Sequence, residues 1–134
     1  METKDFNKIV NDRKIRISKI LQAKATEYAK GGDRLSNFKE AALFMQCTPE
    51  KALLGFVTKH MIALRDFTND LENGHCQSEE MWDEKLGDII NYMILLEALL
   101  AERFEGIRER GLVQDNRPMS ERAAEALAEM RNGV

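Results

Sequence analysis

A row of polar residues follows helical spacing in the second half of the chain. Glu84, Asp88 and Asn91 are separated by steps of four and three residues, and Tyr92 lies one turn beyond Asp88. Residues with this spacing share one side of an α-helix. Apolar residues surround the later members of the row, where an unpaired polar group would cost roughly 1 to 3 kcal/mol. We therefore expect Asp88, Asn91 and Tyr92 to meet polar partners or a polar ligand.

Two interpretations of the acids in this row stay open. Glu84 and Asp88 could hold Mg²⁺, which prefers carboxylate oxygens together with water and phosphate. Alternatively, Asp88 pairs with Lys59 or Arg65 of a neighbouring helix, and the amide and the tyrosine complete a buried hydrogen-bond network. Acid pairs one turn apart are also common on exposed helix surfaces, where they have no special role.

A lysine and a histidine stand together in an earlier apolar segment. His60 falls on the apolar stripe of a predicted helix, where a single histidine is more often a satisfied core residue than a ligand or base. Lys59 beside it could present a cation to the row that begins at Glu84. We expect these groups to face each other across a seam between two helices and to form a mixed-charge pocket for a small ligand.

A glycine-rich turn precedes a second group of polar residues. Arg34, Asn37 and Lys39 follow Gly31 and Gly32 at the expected start of a helix. Free backbone N–H groups and cations at such a place suit a phosphate. A polar turn closed by an aspartate cap accounts equally well for the same residues, so that both interpretations stay open.

Length and composition limit the class of protein. The chain has 134 residues, 43% hydrophobic and 32% charged, which is the profile of one globular domain. Its net charge of −3 argues against general nucleic-acid binding, although the first 60 residues are net basic and the remainder is net acidic. Two isolated cysteines and two histidines do not make a structural zinc site. A charged N-terminus and an interrupted apolar stretch predict a cytoplasmic protein without a membrane segment.

Hydrophobic periodicity and turn signals predict an all-α fold. A long helix with one apolar stripe runs from about Phe6 to the Gly31-Gly32 turn, and a short helix follows to about Met45. The segment Thr48-Pro49-Glu50 is a strong start signal, because a hydroxyl cap precedes a proline at the first helical position. This second long helix ends at Asn73-Gly74.

The third long helix begins after Ser78 and is predicted to be central. It is apolar on nearly every side from Ile89 to Ala101, as expected of a helix that its neighbours surround. Residues 1–112 are predicted to form one bundle of three long helices and one short helix, and residues 113–134 a polar tail helix that docks loosely or serves as an oligomer arm. Exposed apolar edges predict a homo-oligomer. The inward stripe of the third long helix is predicted to be Trp82, Leu86, Ile89, Met93, Leu96 and Leu100.

The polar row, the lysine–histidine pair and the glycine-rich turn belong to one set of segments. Its members are Glu27-Tyr28-Ala29, Asp33-Arg34-Leu35-Ser36-Asn37-Phe38-Lys39, Lys59-His60, Trp82-Asp83-Glu84-Lys85, Asp88, Asn91-Tyr92 and Leu95-Leu96. Together these segments resemble poorly characterised phage and prophage proteins, which look like distant members of the MazG-like all-α nucleoside triphosphate pyrophosphohydrolases. The resemblance covers about Ile20 to Glu102.

The resemblance implies a nucleotide ligand, and this chain departs from the family in one motif. In the family, a helix with the motif EExxE faces a helix with the motif ExxD, and these acids bind Mg²⁺ around a nucleoside triphosphate. Glu84 and Asp88 resemble the second motif with one extra residue of spacing, whereas Lys59 and His60 stand where the first motif has carboxylates. A lysine does not ligate Mg²⁺, but it can meet a phosphate directly.

The leading hypothesis is a phage-type protein that binds a nucleotide and sequesters it intact, either a nucleoside triphosphate or a nucleotide signal used in host defence. One alternative is a Mg²⁺-dependent pyrophosphohydrolase in which further acids, for example Glu27 or Asp66, complete the set of Glu84 and Asp88. Another is a module that binds a host protein through the acidic second half of the chain. The predicted ligand-binding residues are Arg34, Asn37, Lys39, Lys59, His60, Asp88, Asn91 and Tyr92.

Overall fold

Helices and the turns between them make up the part of the chain that the computed structural model describes. This part comprises residues 1–28 and 31–111, without the side chains of residues 25–28, and three single residues further on. The all-α prediction is confirmed within these residues. The predicted tail helix of residues 113–134 lies almost wholly outside them. The helices are α1 (Thr3–Tyr28), α2 (Ser36–Met45), α3 (Pro49–Glu72) and α4 (Glu79–Glu109).

Local sequence signals set both ends of α3. The Thr48 hydroxyl accepts a hydrogen bond from the Lys51 backbone N–H at 3.3 Å, and Pro49 occupies the first turn. A hydroxyl cap of this kind stabilises a helix by about 1 kcal/mol. Asn73 closes the helix, and Gly74 takes the left-handed conformation with a φ of 81°. The predicted start and end of this helix are confirmed.

The turn before α2 positions Arg34 and the first turn of that helix. Gly31 and Gly32 have φ values of 63° and 86°, a backbone region that side chains with a Cβ rarely adopt. The Asp33 carboxylate then accepts a hydrogen bond from the Leu35 backbone N–H at 2.8 Å, which satisfies one of the free donors at the helix start. Leu35 occupies the N-cap position of α2, and no side chain caps the helix there. The predicted cap at Asp33 is therefore wrong, because the Asp33 carboxylate closes the turn before the helix.

The inward face of α4 differs from the predicted one. Gly87, Asn91 and Leu99 are buried and Leu95 is half-buried, so that residues at four-residue steps face the other helices. The central position of α4 stays a prediction. The predicted stripe is only partly matched, since Trp82, Ile89 and Leu96 are half-buried whereas its other members are exposed. The reason is that α4 is apolar on several sides, and periodicity alone then does not identify the side that neighbours cover. Apolar residues of α4 that remain exposed include Leu86, Met93, Ile94 and Leu100.

A small apolar core lies where α2, α3 and α4 meet. Leu53 of α3 is fully buried, and Phe38, Val57 and Leu99 pack with it, together with Leu35 from the turn before α2. The backbones of α2 and α3 approach each other most closely. Each such side chain contributes roughly 1.5 to 3 kcal/mol when it is removed from water. This core fixes the start of α2 against the middle of α4.

Two arginines of α1 hold it against the start of α4. Arg13 Nη2 lies 2.7 Å from Asp83 Oδ1, and Arg16 Nε lies 3.2 Å from the same oxygen. Arg13 Nη1 also donates a hydrogen bond to the Asp83 carbonyl at 3.3 Å. The guanidinium lies close to Gly87, where an added Cβ would be 3.0 Å from Nη1. The missing side chain at Gly87 therefore leaves room for this contact.

The chain divides into two compact units, Met1–Glu102 and Arg103–Val134. The apolar core and the cavity described below belong to the first unit. The predicted boundary after residue 112 lies beside the undescribed stretch and stays a prediction. No helix in the described ranges combines the length and the apolar character that a bilayer span requires.

Candidate functional site

A cavity of about 250 Å³ lies between the helices of the first unit. Every helix of that unit contributes to its wall, since α1 supplies Ile20, Leu21 and Lys24 and α3 supplies Phe56. The start of α2 and the inward face of α4 supply most of the polar groups. The sequence predictions at Arg34, Asn37, Asp88, Asn91 and Tyr92 all fall on residues that line this cavity.

Asn91 and Arg34 carry buried polar atoms without a partner. Asn91 is only 7% exposed, and within the described chain neither the nitrogen nor the oxygen of its amide has a hydrogen-bond partner. Nη1 of Arg34 is also buried and has no hydrogen-bond partner within the described chain. An unsatisfied buried polar group costs roughly 1 to 3 kcal/mol. Both residues line the same cavity, so that a polar molecule bound there is one way to satisfy these atoms.

Aromatic rings form another part of the cavity wall. The ring centroids of Phe38 and Phe56 are 6.2 Å apart, and those of Phe38 and Tyr92 are 6.4 Å apart, both in edge-to-face arrangements. His60 lies behind Tyr92, with a centroid distance of 5.5 Å. Edge-to-face pairs are a favourable aromatic geometry, and flat ring faces next to a cavity suit a planar ligand.

His60 contacts the acid of the polar row. Its Nδ1 lies 3.3 Å from Asp88 Oδ2, and only 6% of the residue is exposed. Burial lowers the pKa of His60, and the nearby Asp88 charge opposes this shift only in part. The imidazole is therefore neutral at neutral pH. It holds Asp88 at the edge of the cavity without adding a positive charge.

Four of the predicted site residues do not line this cavity, and His60 is one of them. Lys59 is exposed on α3 and does not line the cavity within the described chain. Consecutive residues of a helix point about 100° apart, so that Lys59 turns outwards where His60 turns inwards. Glu84 is exposed and forms an ion pair with Lys85 at 2.6 Å. Lys39 lies beside a second, neighbouring cavity, where its ammonium contacts two carboxylates.

The described carboxylates do not converge on a magnesium site of the kind that the family resemblance implies. Glu84 is directed to Lys85, and Asp88 is directed to His60. Asp66, which was a candidate third ligand, pairs with Arg65 at 2.8 Å, and the Glu27 side chain lies outside the described residues. Among the side chains that the structure describes, no three acidic, histidine or cysteine groups converge as metal ligands would.

Several residues of the cavity wall were not among the predicted site residues, and Lys24 and Phe56 are two of them. Neither belongs to a motif, and both reach the cavity only through the packing of α1 and α3 against the other helices. Asn91 could be identified from the sequence, since an amide in an apolar stretch requires a hydrogen-bond partner.

The fold and the cavity define an all-helical domain with a small, polar and aromatic-walled site between its helices. Comparison of the chain with protein-family models, with curated proteins and with solved structures finds no match. The resemblance to the MazG-like group therefore stays a prediction. The residues of the cavity carry the functional proposal.

Proposed function

We propose that the protein binds a nucleotide in the cavity between Arg34 and Asn91 and holds it without hydrolysing it. The observation that carries this proposal is the presence in one cavity of two residues with unpartnered buried polar atoms, Nη1 of Arg34 and both polar atoms of the Asn91 amide. A guanidinium matches a phosphate, and an amide matches the edge of a base, because it offers one donor and one acceptor. Aromatic rings beside them suit the faces of a base.

The charges at the cavity support an anionic ligand. Arg34 and Lys24 contribute two cations to the lining, and Asp88 contributes one carboxylate. His60 is neutral and leaves the Asp88 charge in place, so that the lining has an excess of one positive charge. A phosphate on Arg34 would accept a hydrogen bond from the buried nitrogen. An ionised acceptor of this kind forms a stronger hydrogen bond than water does.

The arrangement of the acids supports binding of the nucleotide without its hydrolysis. Hydrolysis of the family type requires several carboxylates around the phosphates. Here the acids of the polar row face Lys85 and His60. A protein of this kind acts by sequestering its ligand or by responding to it.

Calorimetric titration of the purified protein with a panel of nucleotides tests this function. We expect binding in the nanomolar to micromolar range, and chromatography of the mixture after incubation should return the nucleotide unchanged. Arg34→Gln should weaken binding about tenfold or more, since each tenfold change is about 1.4 kcal/mol. Lys59→Gln is the matched control, because it removes the same charge outside the cavity.

Three results would overturn the proposal. Absence of heat with every nucleotide of the panel would exclude nucleotide binding. Equal loss of affinity in the Arg34 and Lys59 variants would exclude this cavity as the site. Release of pyrophosphate or phosphate that Asp88→Asn abolishes would show turnover and replace sequestration with hydrolysis.

A further inference from the structure

A second cavity of about 640 Å³ adjoins the first, and Arg34 separates them. Leu21, Arg34 and Leu95 line both cavities. The second cavity is also bounded by Asp33, Lys39 and Glu102. A ligand that extended from Asn91 past the Arg34 guanidinium would therefore enter the second cavity next.

The second cavity is unfavourable for further phosphate groups. The Lys39 ammonium lies 2.8 Å from Glu102 Oε2 and 2.9 Å from Asp33 Oδ2. Hydrogen bonds from Glu102 and then Asp33 raise the pKa of Lys39, so that its positive charge is already compensated by two carboxylates. The three groups together carry one net negative charge. A chain of phosphates would meet this charge with no free cation beyond Arg34 in the described lining.

The first cavity is small for a complete nucleotide with three phosphates. Its volume of about 250 Å³ is below the roughly 300 to 1,000 Å³ that is usual for ligand pockets. Its two cations, Arg34 and Lys24, are opposed by Asp88, which leaves an excess of one positive charge. One ring system and one phosphate group come closer to this volume and this charge than a triphosphate does.

We propose that the ligand is a nucleoside monophosphate and that the site selects against the triphosphate of the same base. The base lies on Asn91 beside the Phe38 and Tyr92 rings, and the phosphate lies on Arg34 at the boundary of the two cavities. Glu102 and Asp33, held by Lys39, repel a second and a third phosphate. This inference rests on the proposed function and names the ligand class of the same site.

Calorimetric titration of the full chain tests the selection. The probes are the monophosphates and triphosphates of adenosine, guanosine, cytidine and uridine, each titrated with EDTA and again with excess Mg²⁺. For the base that binds best, we expect the monophosphate to bind at least about tenfold more tightly than the triphosphate. This ranking is measured on the wild-type protein and does not depend on the folding of any variant.

Two variants test the cause of the selection. Glu102→Gln removes one carboxylate from the second cavity, and it should raise triphosphate affinity at least about threefold while leaving monophosphate affinity within about twofold. Glu97→Gln is the matched control, because Glu97 is an exposed acid of α4 that lines neither cavity. It should change neither affinity.

The outcomes separate this inference from the proposed function. A triphosphate that binds as tightly as the monophosphate, or more tightly, overturns the selection and leaves nucleotide binding intact. A threefold gain in Glu97→Gln equal to that in Glu102→Gln refutes the role of the second cavity. If no nucleotide binds, both proposals fall together.

Discussion

His60 Nδ1 lies 3.3 Å from Asp88 Oδ2, and burial holds the imidazole in its neutral form. The histidine is thus a buried residue that contacts an acid at the edge of the cavity. Charged groups near it are Asp88 and Glu84, which favour protonation, and Lys59 and Lys85, which oppose it. Burial outweighs the two acids.

The burial of His60 predicts that the protein loses stability as the pH falls below neutrality. Because the pKa of His60 is lowered in the folded state, the unfolded chain takes up a proton first, from its ordinary value of 6.5 downwards. Urea unfolding at pH 7.5 and pH 5.5 should show a smaller pH effect in His60→Gln than in wild type. His75→Gln is the control, since His75 is exposed and should retain the wild-type effect. Equal pH dependence in His60→Gln and wild type would contradict the prediction.

Asn91→Leu is predicted to stabilise the ligand-free protein and to abolish nucleotide binding. The substitution replaces an unpartnered buried amide with an apolar side chain of similar size, so that a gain of about 1 kcal/mol in unfolding free energy is expected. Chemical denaturation gives the first result and calorimetry the second. Asn11→Leu, at an exposed position of α1, should affect neither. A loss of stability in Asn91→Leu would mean that the amide has a structural partner.

Gly87→Leu is predicted to destabilise the protein by about 2 kcal/mol. Even a Cβ at this position would lie 3.0 Å from Arg13 Nη1, and a larger side chain displaces the guanidinium from Asp83. Gly106→Leu is the matched control, because a Cβ there meets no atom within 4 Å and a non-glycine residue favours the helix. Thermal denaturation of both variants should show opposite shifts. Equal shifts would show that α1 does not depend on the space at Gly87.

Phe44→Ser is predicted to weaken self-association of the chain. Phe44 and Leu43, at the end of α2, are 95% and 81% exposed, although both are large apolar residues. Removal of an apolar side chain that the monomer does not bury should leave monomer stability within about 0.5 kcal/mol. Sedimentation velocity should show a shift towards monomer, which Lys51→Ser should not cause. A wild-type protein that is monomeric at all concentrations would contradict the predicted homo-oligomer.

Local signals made α3 predictable. The hydroxyl of Thr48, the ring of Pro49 and the left-handed Gly74 each act within one helical turn, so that the sequence alone identifies them. An apolar stripe was also predicted on this helix, and it is buried at Leu53, Val57, His60 and Phe67 but exposed at Leu71.

The site was predictable only in part. The residues Asp88 and Asn91 share a cavity with Arg34, although the sequence expectation was that Lys59 would face them. Lys59 and His60 are adjacent, and which of the two turns inwards depends on how α3 packs against α4. The cavity between Arg34 and Asn91 joins residues that are far apart in the chain, and no local spacing encodes that contact.

The cavity that contains Asn91 is bounded by residues from all four helices. A molecule bound in this cavity binds the folded state and not the unfolded chain. Its free concentration therefore raises the free energy of unfolding by mass action. At a hundredfold excess over the dissociation constant, this contribution is about 2.7 kcal/mol. The rate at which proteases degrade the protein would then depend on the concentration of the molecule that fills the cavity.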